Sequence, residues 1–174
     1  GDEEMFDRIH EMRTRIITSP SFEGDRILGT ILFENTMNRT IGDTGSARYL
    51  WQRKQVVPFL KVDKGLEEEK DGVQMMKPMS GLEELLRQAG INEVFGTKMR
   101  SVIKTANESG VKAIVDQQFE IGKQIISAGL VPILEPEVDI HSETKERAEQ
   151  MLLERIIEHI RELSSEQKVM LKLS

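Results

Sequence analysis

The chain has 174 residues, 38% hydrophobic and 31% charged, an ordinary balance for a folded protein with a sizeable core. A net charge of −6 gives no global basic field for nucleic acid or an anionic membrane, and no apolar run approaches the roughly 18 residues of a membrane span. The absence of cysteine excludes disulfides, thiol catalysis and thiolate metal sites.

No signal peptide is visible, so the cytoplasm is the expected compartment. The chain opens on Gly1 without an initiator Met, so an upstream portion is expected. Residues 2–17 read as an amphipathic helix with Met5, Ile9, Met12 and Ile16 on one face. A first strand is expected to begin near Ile27 and run through Ile31-Leu32-Phe33 to Glu34. A second begins near Val56, where Pro58-Phe59-Leu60 leads into Lys61-Val62-Asp63. The Gly72–Gly81 stretch reads as a longer irregular loop. Ser80-Gly81-Leu82-Glu83 has the pattern of a capping box opening a short helix, which Gly90 would end.

A third strand is expected near Val94, leading into Lys98-Met99-Arg100. Residues 110–128 read as a helix with Ile114, Phe119, Ile125 and Ile126 inward and Gly129 as its stop. A fourth strand, Leu130-Val131-Pro132-Ile133-Leu134, leads into Glu135-Pro136-Glu137. Residues 144–163 carry the helical stripe Ala148, Leu152, Ile156, Ile160 and Leu163. A fifth strand, Val169-Met170-Leu171-Lys172-Leu173, ends the chain with a lysine in an apolar run.

Counted from Ile27, Val56, Val94, Gly129 and Lys168, successive strand starts differ by 29, 38, 35 and 39 residues, with helical patterns between them. That alternation predicts βα units and a parallel sheet. Eight units of roughly 35 residues would make a barrel of about 280, the usual size of a (β/α)8 (TIM) barrel. About five units are present, so an α/β fold is expected in which residues 1–174 form one domain, an incomplete barrel. A complete five-stranded doubly wound sheet competes with it. No glycine follows the first strand in Ile31-Leu32-Phe33-Glu34-Asn35-Thr36, which counts against a nucleotide-binding version.

Residues i and i+2 of a strand share a face, so Lys61 pairs with Asp63, Lys98 with Arg100, and Glu135 with Glu137. At the carboxyl ends of barrel strands, these pairs and Lys172 would look into one cavity. A near-balanced mixture of cations and carboxylates suits a phosphorylated substrate and proton transfer. A lysine attacks a carbonyl only as the neutral amine, a form favoured by apolar surroundings and nearby cations. Lys172 would then hold a ketose carbonyl as an iminium, with Glu135 shuttling protons. Taken singly, each of these residues fits an exposed strand face or a loop, and spacing alone leaves the choice open.

The segments Val57-Pro58-Phe59-Leu60-Lys61-Val62-Asp63-Lys64-Gly65, Thr97-Lys98-Met99-Arg100 and Val131-Pro132-Ile133-Leu134-Glu135-Pro136-Glu137 resemble the motifs of class I fructose-bisphosphate aldolases. Ile27 to Met37 resembles that family's second strand and following loop, and Leu171-Lys172 its Schiff-base strand. The similarity runs in order across nearly the whole chain, about strands two to six of the barrel, and is nearest the bacterial form. The resemblance implies that Lys172 forms the imine, Glu135 is the general acid/base and Glu137 supports it. It implies that Lys98 stabilises charge during C–C cleavage, Arg100 supports substrate binding, Lys61 holds substrate and phosphate, and Asp63 orients the lysines.

The implied reaction is reversible cleavage of fructose 1,6-bisphosphate to dihydroxyacetone phosphate and glyceraldehyde 3-phosphate. It needs no cofactor. The implied partner is a sugar phosphate, with no nucleic acid or membrane and with room for a homo-oligomer. The family's first-strand aspartate and its seventh- and eighth-strand phosphate ligands have no counterpart in these residues, so residues 1–174 alone are expected to lack normal activity. Two alternatives stand beside this reading: a truncated phosphate-binding barrel module, and a lysine-dependent aldolase for another sugar phosphate. His10, His141 and His159 lack metal-ligand spacing, so no catalytic metal is expected. Arg13 and Arg15 could reach a phosphate from the first helix, but a solvent face is the safer expectation.

Overall fold

The computed structural model describes residues 1–174. Helix α1 (Asp2–Thr18) leads to strand β1 (Gly29–Leu32), then to a single helical turn α2 (Glu34–Met37) and a hairpin of β2 (Thr40–Ile41) and β3 (Thr44–Gly45). Helix α3 (Ser46–Tyr49) continues as a π-helical turn over Leu50–Lys54 and feeds β4 (Val57–Lys61). After β5 (Val73–Gln74) come α4 (Leu82–Ile91), β6 (Gly96–Ile103), α5 (Glu108–Ser127), β7 (Val131–Val138), α6 (Lys145–Glu162) and β8 (Met170–Leu171).

Strands β1, β4, β6, β7 and β8 pair in parallel and in chain order. A doubly wound sheet reverses its strand order at a switch point. This sheet never reverses, which removes the doubly wound alternative and leaves part of a (β/α)8 barrel. The ladder is longest at its centre, where β6 and β7 stay in register from Gly96↔Val131 to Ile103↔Val138. Elsewhere it is shorter, with three pairs between β4 and β6, four between β1 and β4 and two between β7 and β8.

Close strand approach explains the glycines at the base. A Cβ on Gly96 would stand 2.2 Å from the Val131 carbonyl oxygen and 3.0 Å from the Phe59 ring. One on Gly29 would meet the same ring at 2.9 Å. Phe59 therefore fills the floor two residues before Lys61. The main core lies between the sheet and its covering helices, with Met99, Leu134, Ile114, Phe119 and Ile125 fully buried. Helix α5 is capped by Asn107, whose side chain accepts from the Gly110 N–H at 2.9 Å. It stops before Gly129, which takes the left-handed conformation at φ +86°.

Several local expectations need correction. The first strand ends at Leu32, and Glu34 opens α2. Of the α1 stripe, Met5, Met12 and Ile16 are exposed, while Ile17 is the α1 residue that joins the buried core. Ile160 of α6 is likewise exposed. The capping box does not form. Gly81 is the N-cap of α4 at φ +76°, without a side-chain cap, and the helix runs past Gly90 to Ile91. The Gly72–Gly81 stretch is not wholly irregular, since β5 pairs antiparallel with β6. The helix over 46–54 and the β2–β3 hairpin are additions. The hairpin has a sequence signal in Gly42-Asp43, a glycine-led two-residue turn, and Gly42 adopts φ +63°. No helix is long and apolar enough to cross a membrane.

Candidate active site

The carboxyl ends of β4, β6, β7 and β8 bring the charged pairs together. Glu135 on β7 is buried and lies between two lysines: Lys98 of β6 forms an ion pair with its Oε2, and Lys172 with its Oε1. The register accounts for this. Arg100 stands opposite Glu135, so Lys98, two residues earlier, reaches up to the carboxylate from the same face. Lys172 follows β8 directly, and its backbone N–H donates to the Leu134 carbonyl at 2.9 Å, fixing its height beside Glu135.

One strand further in, Lys61 donates to Asp63 Oδ1 at 2.6 Å and to the Asp63 carbonyl at 3.0 Å. The buried Asp63 also accepts from the Gly65 N–H at 3.3 Å and, through Oδ2, from the Arg100 N–H at 3.2 Å. Arg100 and Glu137 form an ion pair, and the Glu137 hydrogen bond holds the guanidinium above its ordinary value. All seven candidate residues thus belong to one chain of contacts except at a single gap: no direct ion pair links the Lys98–Glu135–Lys172 group to the Lys61–Asp63–Arg100–Glu137 group. The four cations and three carboxylates leave one net positive charge, the right sign for a phosphorylated ligand.

Glu34, the charge at the first strand end, stays outside this cluster and pairs with Lys64 at 3.2 Å. The Lys172 side chain is 53% exposed, and its neighbours Met170 and Leu171 are exposed too, so its strand is less sheltered than its apolar sequence suggests. Arg13 departs from its expected solvent face. It is half-buried, donates to Thr36 Oγ1 at 2.7 Å and stands 4.7 Å from the centre of the Phe33 ring. Lys61 Nζ lies 5.8 Å from the same ring. A cavity of about 530 Å³ opens here, lined by Arg13, Phe33, Glu34, Lys61, Asp63 and Lys64 among others. It adjoins the cluster through Lys61 and Asp63 only.

Two of the three histidines are engaged elsewhere. His10 contacts the Thr40 carbonyl at 2.7 Å, and His159 contacts Asp116 at 2.7 Å while stacking on Phe119. Sequence reasoning missed Gln118, a fully buried amide of α5 behind the site. Its only sequence signal is a polar residue beside Phe119 on a helix face otherwise apolar.

The family model for fructose-bisphosphate aldolase class-I matches residues 3–173. The fructose-bisphosphate aldolase class 1 of Synechocystis sp. is 59% identical over 174 residues, which is 100% of this chain and 58% of that protein. That of Clostridium acetobutylicum is 58% identical over 174 residues, 100% of this chain and 59% of that protein. The chain therefore spans less than two thirds of the length of these relatives. Among solved structures, a fructose-bisphosphate aldolase from Plasmodium falciparum, in complex with TRAP and a small-molecule inhibitor, superposes with a TM-score of 0.71. At 23% identity it covers 86% of this chain and 47% of its own, and it shares the fold.

Proposed function

The chain belongs to the class I fructose-bisphosphate aldolase family, and from that premise we propose that residues 1–174 are a single domain, an incomplete barrel carrying the Schiff-base half of the site. The complete protein then cleaves fructose 1,6-bisphosphate reversibly to dihydroxyacetone phosphate and glyceraldehyde 3-phosphate. The observation that carries this reading is Glu135, a buried carboxylate bridging Lys98 and Lys172 at the strand ends.

Each group has a role that follows from its position. Glu135 takes a proton from the Lys172 ammonium, and the freed amine adds to the substrate ketone carbon. Water leaves, and the iminium becomes an electron sink. Glu135 returns its proton to the departing water and, again a carboxylate, takes the C4 hydroxyl proton; the C3–C4 bond breaks, and its electron pair neutralises the iminium as an enamine while an aldehyde forms at C4. Protonation at C3 and addition of water then release the second triose phosphate and restore Lys172. Lys98 sits on the far side of Glu135 and stabilises charge as the C–C bond breaks. Arg100, braced by Glu137, and Lys61, braced by Asp63, hold the phosphorylated substrate. We extend the reading to a sugar-phosphate partner, a cytoplasmic setting and self-association into a homo-oligomer.

Trapping tests it. Borohydride added to the complete protein with dihydroxyacetone phosphate attaches substrate mass at Lys172, located by peptide mapping. Lys172→Arg abolishes the adduct, because a guanidinium stays protonated and forms no imine. An adduct on Lys61 or Lys98 instead overturns the assignment.

A further inference from the structure

Strand β6 carries two of the proposed site cations, Lys98 and Arg100, on the stretch where its backbone support changes hands. Its pairing with β4 ends at Lys61↔Lys98, with one further bond from the Val62 N–H to the Lys98 carbonyl at 3.1 Å. Support on that edge resumes only where β5 pairs with Val102 and Ile103. Residues 99–101 therefore have no strand on that edge. With β7 paired along their other edge, two buried side chains brace them further. From the cavity side, Asp63 Oδ2 accepts from the Arg100 N–H at 3.2 Å. From the helix side, the amide nitrogen of Gln118 donates to the Met99 carbonyl at 3.2 Å and to Ser101 Oγ at 2.9 Å.

Gln118 is an expensive residue to keep there. It is 1% exposed, and Ser101 is fully buried. No protein donor reaches its amide oxygen, so burying it carries a desolvation cost that an apolar side chain of equal volume would avoid. The adjacent Gln117 grips the Met76 backbone at both its N–H, 2.9 Å, and its carbonyl, 3.0 Å, so the turn of α5 bearing both amides is itself anchored. Met99 and Ser101 flank Arg100, and Met99 directly follows Lys98. A donor that fixes both therefore fixes the direction in which the two cations project into the barrel.

We infer that Gln118 is a positioning residue for Lys98 and Arg100, acting through β6 from behind the sheet. This rests on the proposed role of Lys98 in C–C cleavage. It makes a specific separation: loss of the Gln118 donor impairs the cleavage step and spares imine formation at Lys172, which stands on β8 and takes its backbone bond from Leu134. A residue serving only the core would weaken both steps through the fold.

The test uses the complete protein carrying Gln118→Met, which keeps volume and removes the donor, and Ser101→Ala, which removes one acceptor and leaves the amide in place. Single-turnover cleavage of fructose 1,6-bisphosphate and the rate of borohydride trapping with dihydroxyacetone phosphate are measured on each. Gln118→Met should lower cleavage about tenfold, Ser101→Ala about threefold, and the double variant no more than Gln118→Met, as expected for one shared hydrogen-bonded unit. Trapping should stay within about twofold of the parent, a margin smaller than one hydrogen bond. Equal losses in both measurements, or no loss of cleavage, overturn the inference. If Gln118→Met does not fold, Ser101→Ala decides on the same two readings. Failure of the underlying reading is distinguishable, because the parent protein would then show no adduct at Lys172.

Discussion

The centre and the margin of the sheet contribute to the candidate site on different terms. Lys98 and Glu135 come from β6 and β7, paired over eight register positions and covered by α5, and both are buried. Lys172 comes from beside β8, a two-residue strand with exposed Met170 and Leu171, and is itself half exposed. The same carboxylate meets one lysine under each regime. On the proposed roles, the lysine that stabilises developing charge stands in the fully paired, buried part, and the lysine that forms the imine stands in the thinly paired, exposed part. That division predicts that stability and activity separate along the sheet.

The sharpest way to break the comparison is to remove each lysine in turn from the 174-residue chain and follow unfolding in denaturant. Lys98→Met takes a cation from a buried pair, and the loss should be about 3 kcal/mol, at the low end for a broken buried pair because Lys172 still touches Glu135. Lys172→Met should cost under about 1 kcal/mol, the range of an ion pair with one exposed partner. In the complete protein the order reverses for imine trapping: Lys98→Met retains the adduct and Lys172→Met loses it. Equal stability losses would show that the margin is as closed as the centre.

This contrast also marks what the sequence could reveal. Runs such as Leu130–Leu134 and Pro58–Leu60, ending in charge and bracketed by glycine or proline, identify strands whose far ends share a polar site, and the structure brings Lys61, Lys98, Glu135 and Lys172 to one side of one sheet. Period-two alternation sufficed because these residues need only direction and end position. Burial was not legible. Met5, Met12 and Ile16 follow a core-like helical period yet lie exposed, since period describes a face and not what covers it. Nor could Gln118 be recognised, because its partners, Met99 and Ser101, are set by how α5 packs on β6. Arg13 was misplaced for the same reason, its direction being fixed by Thr36 and Phe33 of a separate segment.

A cleaner comparison uses one residue type on adjacent strands. Leu134 and Leu171 are register partners, the first fully buried and the second 39% exposed. Leu134→Ala should cost about 3 kcal/mol, transfer and cavity together. Leu171→Ala should cost under about 1 kcal/mol, since its atoms keep much of their contact with water. Thermal or denaturant unfolding of the two variants reads the difference directly. A loss at Leu171 matching that at Leu134 would mean that β8 is bound to the sheet more firmly than its two register pairs imply.

The smallest effect concerns how the margin is tied to the centre. His159 of α6 stacks on Phe119 of α5 with ring centres 4.7 Å apart and reaches Asp116 at 2.7 Å, while Lys112 pairs with the same carboxylate. Burial alone would push Asp116 up, but the hydrogen bonds from Lys112 and His159 outweigh it and hold the carboxyl below its ordinary value. A carboxyl lowered in the folded state stabilises fully above its unfolded value, about 3.9, and loses that contribution as pH falls through its folded value. Asp116→Asn should therefore cost well under about 1 kcal/mol at neutral pH, because the carboxylate is 41% exposed and solvent screens it. The gap between parent and variant should stay constant down to about pH 5 and close below about pH 4, where the parent carboxyl takes up its proton. Added salt should narrow it at neutral pH. A gap that widens in acid would reverse the sign of the linkage and overturn the assignment of this contribution to the Asp116 carboxylate.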